Sequence, residues 1–205
     1  MALKKAVILI QLMLSGLFPA LIHAEVRPTI VYEYYDVPVD ENKPLTNSVL
    51  DASPNMANGK KVVGQTVWQL GYKYTRFSPS LETCRLATLE VTCDCTIRLP
   101  RLVGANAALS RDFETYLLRL DEHERRHCGL ATEYAGIMEA ELKAMLGKDQ
   151  DKRCDLLDAE LKARYDRIYA ECDAAQVRYD LETGHGKDEG VDLHKYDPYL
   201  KRGSD

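Results

Sequence analysis

The chain has 205 residues and a formal net charge of −5, with 27 Lys and Arg against 32 Asp and Glu. That length suits one domain with a sizeable core. An acidic balance without a basic stripe makes nucleic acid and anionic lipid poor partners.

Residues 1–24 read as an export signal. Lys4 and Lys5 are followed by an apolar run over 6–21, and Ala24 offers a small residue for cleavage before Glu25. The apolar run is short for a bilayer-spanning helix, and no later segment is apolar enough to be one. The expectation is an exported protein, periplasmic or secreted, with a domain at 25–190 and a polar tail at 191–205. Six cysteines follow the signal: Cys84, Cys93, Cys95, Cys128, Cys154 and Cys172. An even count in an exported chain points to disulfides.

Residues 29–37 are β-branched and Tyr-rich and predict a first strand. A polar stretch over 40–58 holds a short helix at 45–51. Residues 62–76 read as a second strand with Trp68 as a large anchor, and Gly64 and Gly71 suggest bends or bulges. Over 87–99, Ala87, Leu89, Val91, Cys93, Cys95, Ile97 and Leu99 alternate strictly with Thr, Glu, Asp and Arg residues. This predicts a half-buried strand with Cys93 and Cys95 both inward, ended by Pro100.

Two helices follow, over 107–146 and 152–179. The first has an apolar stripe through Phe113, Leu117, Leu120, Ala131, Tyr134, Met138, Leu142 and Met145. The second has one through Cys154, Leu157, Leu161, Tyr165, Ile168, Cys172, Ala175 and Tyr179. The short connection between them predicts an antiparallel hairpin. A tip near residue 149 sets Cys128 level with about residue 170, which predicts a Cys128–Cys172 bridge. Cys154 then has no helical mate, and a mate, if it has one, comes from the sheet.

The most informative motif lies within the first helix. His123-Glu124-Arg125-Arg126-His127 is H-E-x-x-H, with both histidines in the inward phase of the stripe. Positions i and i+4 share a helix face, so both imidazoles can reach one metal ion. Glu124 is placed to take the proton of a water on that metal.

A catalytic zinc usually takes three protein ligands. Positions 130 and 133 hold Leu130 and Glu133 rather than the Gly and His of a metzincin continuation. His185, between Gly184 and Gly186, is the first choice for the third ligand. Glu171 is the geometric alternative, and Glu160 and His194 are weaker ones. Tyr179 could donate to an oxyanion. Asp180 could hold a ligand imidazole from behind.

The export signal, Thr66-Val67-Trp68, the Cys84 strand running to Leu99-Pro100, the H-E-R-R-H helix and Tyr179-Asp180-x-x-Thr183-x-His185-Gly186 together resemble the bacterial "domain of unknown function 922" family. The resemblance covers most of the chain after the signal. It implies a secreted zinc-dependent protease of the zincin type, with His123, His127 and His185 on the metal and Glu124 as general base.

The expectation is therefore an α+β protein: an antiparallel sheet from the N-terminal half, packed on a helical hairpin that carries a Zn2+ site. The expected function is a metallopeptidase acting on a peptide or protein substrate. The alternative is a non-catalytic zinc-binding protein, or a disulfide-stabilised interaction protein of the cell envelope.

Overall fold

The computed structural model describes residues 26–40, 42–150 and 153–197. The signal and the end of the tail lie outside them. Four strands carry the architecture: β1 (Thr29–Pro38), β4 (Gln65–Ser80), β5 (Thr83–Val103) and the short β6 (Asp149–Gln150). A two-stranded hairpin, β2 (Met56–Ala57) and β3 (Lys60–Lys61), stands apart. The helices are α1 (Leu45–Ala52), α2 (Ala107–Lys143) and α3 (Cys154–Glu182). The protein is α+β, as its sequence predicts.

The sheet order is β1-β5-β4, with β6 paired to the start of β5. It is not wholly antiparallel. β4 and β5 form an antiparallel hairpin, but β1 runs parallel to β5, from Thr29 opposite Asp94 to Pro38 opposite Val103. From the Pro38 end of β1 the chain passes β5 through α1 and the small hairpin and then returns along β4, so that β5 sets out again from the same end as β1. Nor does Pro100 end β5. β4 starts its pairing at Gln65 opposite Arg98, so β5 has a single strand neighbour from Leu99 onward. A residue without an N–H is tolerated there.

The predicted alternation holds from Val91 to Leu99, where the odd residues are buried. Before Ala87 the phase reverses, and Cys84 and Leu86 face inward instead. The cause is one extra residue: Thr75 pairs with Thr88 but Arg76 pairs with Leu86, leaving Ala87 as a bulge. Gly71, by contrast, sits in regular register opposite Thr92. It is there for space, because a Cβ would lie 2.8 Å from the Thr92 hydroxyl.

α2 begins at Asn106, whose side chain accepts from the amides of Ala108 and Leu109, both at 3.0 Å. Its N-terminal half packs Leu109, Phe113, Tyr116 and Leu120 with Val37, Val49, Ile97 and Leu99. Its C-terminal half packs Cys128, Ala131, Ala135, Met138 and Leu142 with β4, β5 and α3. The H-E-x-x-H residues lie at the seam of these two apolar clusters. α3 runs antiparallel to α2: Gln176 meets His127 at one end, and Arg167 meets Glu141 nearer the other.

The disulfides are Cys84–Cys154 and Cys95–Cys128, and Cys93 and Cys172 are free and buried. The expected Cys128–Cys172 bridge is thus corrected. The connection between the helices is not a tight tip, because Leu146 bridges Leu86 and β6 pairs with β5. This moves the register about a turn, so that Gln176 rather than residue 171 lies opposite His127. Cys128 is then taken by inward-facing Cys95, and Cys154 finds its mate, Cys84, in the sheet. Disulfides fit an oxidising compartment. Among the described residues, no helix is long and apolar enough to cross a membrane.

The tail, expected to be loose, is docked up to Asp197. Leu193 is buried in the second cluster, the Tyr196 ring lies tilted against Tyr116 with centres 6.1 Å apart, and the Asp197 carboxylate accepts from the Thr46 amide at 3.4 Å.

Candidate metal centre

His123, Glu124 and His127 are all buried, at 5%, 5% and 9% exposure. Charged and polar residues so enclosed need partners. The His127 Nδ1 lies 2.7 Å from Gln176 Oε1, and the Gln176 amide nitrogen donates to the His127 carbonyl at 3.0 Å. That second bond fixes which end of the amide faces the ring, so Nδ1 must be the donor. The His123 Nδ1 lies 2.7 Å from Glu189 Oε2, an acceptor, so it is a donor as well. Both rings therefore present Nε2 on their other side.

The two Nε2 atoms converge on one atom. Asp180 Oδ1 is 3.0 Å from that of His127 and 3.3 Å from that of His123. Two neutral ring lone pairs aimed at a carboxylate oxygen would repel it. The arrangement calls for positive charge among the three atoms, supplied either by a proton on each ring or by one cation.

Without a cation, burial works against the charged rings. Their hydrogen bonds to Asp180, helped by Glu189 for His123 and Gln176 for His127, outweigh it, so both pKa values are raised. Burial alone would raise the Asp180 carboxyl, but the same two rings hold it well below the usual range.

The donor set also fits a metal. Ligand atoms of His123, His127 and Asp180 lie within 4.8 Å of one another. The separations at Asp180 Oδ1 are close to the edge of a tetrahedron with bonds of roughly 2.0–2.1 Å. Two imidazoles and a carboxylate suit zinc and other first-row divalent ions. Oxygen acceptors behind each Nδ1 are what orients ligating histidines.

Glu124 stands outside the ligand group. The Thr66 hydroxyl lies 2.8 Å from both its Oε2 and its main-chain carbonyl. Gly64 makes this approach possible, because a Cβ there would lie 2.5 Å from Glu124 Oε1 and 2.7 Å from Leu120 Cδ1. Burial raises the Glu124 pKa, and the two histidines only partly offset it.

Of the other residues singled out in the sequence, Asp180 moves from a supporting place to the centre. His185 stands at the rim. Its side chain is 70% exposed, and its Nδ1 is 3.7 Å from Asp180 Oδ2. It is not one of the three grouped ligands. Gly184, His185 and Gly186 all have positive φ, at 56°, 56° and 82°. This left-handed turn brings Gly186 against the His123 ring, where a Cβ would lie 3.2 Å from Cγ, and carries the chain to Glu189. His185 thus shapes the turn with its backbone while its exposed ring stands beside Asp180 at the mouth of the centre.

Tyr179 stacks on His123 with ring centres 5.0 Å apart, and its hydroxyl donates into the Glu189 carboxylate at 2.9 Å. Glu171 and Glu160 lie away from the group, in ion pairs with Arg167 and Arg164. His194 is exposed in the 3-10 turn Leu193–Tyr196.

Sequence reasoning missed Gln176 and Glu189. Gln176 had a signal: it lies one helical turn before Asp180 and one after Cys172, on the same face. Glu189 had none, because it reaches the site through a turn that no periodicity describes.

No curated protein and no solved structure matches this chain. The family model described as "Bacterial protein of unknown function (DUF922)" matches residues 32–186, from β1 through the left-handed turn. That span holds the H-E-x-x-H helix, both disulfides, Gln176 and Asp180, and the chain belongs to this family.

Proposed function

We propose that the protein is an exported zinc-dependent peptide hydrolase of the zincin type. The observation that carries this reading is the convergence of both H-E-x-x-H imidazoles on Asp180, with buried Glu124 beside them. His123, His127 and Asp180 would hold the ion, with Asp180 in the place that the sequence gives to His185. A zinc ion held there would supply Lewis acidity, polarising a peptide carbonyl and making a water easier to deprotonate.

Glu124 is the proton carrier. Its raised pKa suits a carboxylate that accepts a proton and passes it to the leaving amine. Thr66 fixes its Oε2. Tyr179 acts through Glu189, which orients His123, rather than directly on an oxyanion.

The test is metal content and turnover. Wild type is expected to carry one zinc per chain and to cleave an unfolded protein, and Asp180→Ala to lose the metal. Glu124→Gln should keep the zinc and lose more than about a hundredfold in turnover. Retained hydrolysis in Glu124→Gln would sink the mechanism.

The two disulfides favour one other reading, since they tie α2 and α3 to the sheet without any metal. Failure to take up zinc, with melting unchanged by a chelator, would put that interaction-protein reading in front.

A further inference from the structure

Past the left-handed turn, residues 187–197 run as a strap from the end of α3 across α2 to α1. Its two ends have different tasks. At the near end Glu189 accepts from the His123 ring and the Tyr179 hydroxyl. At the far end three side chains make the attachment. Leu193 is buried in the cluster that holds Leu109, Phe113, Tyr116 and Leu120 of α2, and the Tyr196 ring lies against Tyr116. The Asp197 carboxylate is wholly buried and accepts from the Thr46 amide in the first turn of α1. The N-cap residue of that helix, Pro44, makes no side-chain cap of its own, so Asp197 meets a free N–H at the positive end of the helix.

Between its ends the strap has little hold. Its backbone bonds are local turns: the Glu189 and Val191 amides donate to the Gly186 carbonyl at 3.0 and 2.9 Å, and Gly190 donates to Lys187 at 3.0 Å. Lys187, Asp188, Glu189, His194 and Lys195 are exposed. Such a segment opens more readily than the helices beneath it. It is nonetheless tied to the site. Glu189 is four residues from Leu193, a reach of about 14 Å at most. Gly186 lies between Val191 and the His123 ring, where a Cβ would be 2.8 Å from Val191 Cγ2 and 3.2 Å from His123 Cγ. The seat of Leu193 and Asp197 therefore decides where the Glu189 carboxylate stands. The family match ends at Gly186, before the strap begins.

We propose that the strap is a latch on the metal centre: docking of Leu193, Tyr196 and Asp197 positions Glu189 behind His123, and a metal ion on His123 in turn holds the strap down. A cation on Nε2 makes the Nδ1–H a stronger donor to Glu189, and coupling between two sites has the same size in both directions. Leu193 and Asp197 are thus positioning residues that act through Glu189. The proposal rests on the metal-binding half of the reading above and not on hydrolysis.

The test is the zinc affinity of the full chain, by competition with a chromophoric chelator. Leu193→Asp is expected to weaken zinc roughly tenfold, as loss of the Glu189 acceptor does. In a Glu189→Ala background the same substitution should change affinity by no more than about twofold. Asp197→Ala should weaken zinc about threefold, and Asp197→Asn, which keeps an acceptor for the Thr46 amide, should recover most of it. If Leu193→Asp does not fold, the two Asp197 variants carry the same cycle. Zinc should slow amide exchange at Val191 and Asp192 roughly tenfold in wild type and leave it unchanged in Glu189→Ala. Unchanged zinc affinity in the strap variants, an equal loss with and without Glu189, or exchange in the strap that zinc does not alter would overturn the latch.

Hydrolysis separates the two ideas. If the coupling is found and the zinc-loaded protein cleaves nothing, the peptidase reading fails and the latch stands. If it cleaves and the strap variants bind zinc as wild type does, the latch fails and the peptidase stands. A wild type that takes up no zinc overturns both.

Discussion

The two histidines of the centre have the same chemistry but are held by different kinds of structure. His127 is backed by Gln176, inside a regular helix, and its neighbour Cys128 is bonded to the central strand. His123 is backed by Glu189, in a short turn reached through three consecutive left-handed residues. Asp180 joins the halves by accepting both rings on one oxygen. One half is thus part of the core, and its loss should be felt as stability. The other half is a clamp of few contacts, and its loss should be felt as metal affinity with the fold intact.

The largest effect should come from the core half. Replacing both Cys95 and Cys128 with serine opens a loop with a sequence separation of 33. By chain entropy alone this should cost about 3–4 kcal/mol in urea unfolding of the metal-free protein. A loss below 1 kcal/mol would show that the H-E-x-x-H helix is not anchored there.

Next comes Gln176→Ala. It strips the acceptor from the His127 Nδ1–H and the donor from a buried carbonyl, at about 1–3 kcal/mol of stability together with weakened metal binding. If only metal binding falls, this half is no more structural than the clamp.

Glu189→Ala sharpens the contrast from the other side. It should weaken zinc by roughly 10–100-fold, yet shift metal-free stability by less than about 1 kcal/mol. Glu189→Gln, which keeps an acceptor for His123, should recover most of the affinity, whereas equal loss in both variants would mean that charge rather than orientation matters.

The smallest effect is the pH dependence shared by both halves. In the metal-free protein the folded-state pKa values of His123 and His127 lie above their unfolded ones. Their contribution to stability is fully present below about pH 6.5 and is lost as pH rises through the raised values. The Asp180 contribution, from a lowered pKa, is present above about pH 3.8 and is lost as pH falls toward the folded-state value. Melting of metal-free protein should therefore fall from pH 6 into the alkaline range. Zinc should restore more stability at pH 8 than at pH 6, because neutral rings bind it. A metal-free melting temperature that rises across this interval would contradict the Asp180 geometry.

The remaining thiols belong to the core half. Burial raises the pKa of both Cys93 and Cys172, the latter to about 11, which makes them poor nucleophiles. Their retention beside a disulfide is a matter of packing within the cluster around Leu70 and Ile168.

Local pattern alone determined much of this molecule. The helical stripe located α2 and placed His123 and His127 on its buried face. Strict alternation located β5 and turned Cys93 and Cys95 inward. The spacing of H-E-x-x-H put two imidazoles and a carboxyl side by side on one buried stretch of helix. These are consequences of the 3.6 and 2.0 residue periods, which are properties of the chain itself.

Tertiary structure decided which partner each inward group meets. One bulged residue at Ala87 set the phase at Cys84, and a short strand between the helices moved the register by about a turn. That shift gave Cys128 to Cys95 instead of Cys172 and put Gln176 and Asp180 opposite the motif. A left-handed turn left His185 at the exposed rim beside Asp180 and brought Glu189 in. Periodicity says which way a side chain points, but the neighbour it finds depends on the relative displacement of whole elements, and a single inserted residue or turn is enough to change it.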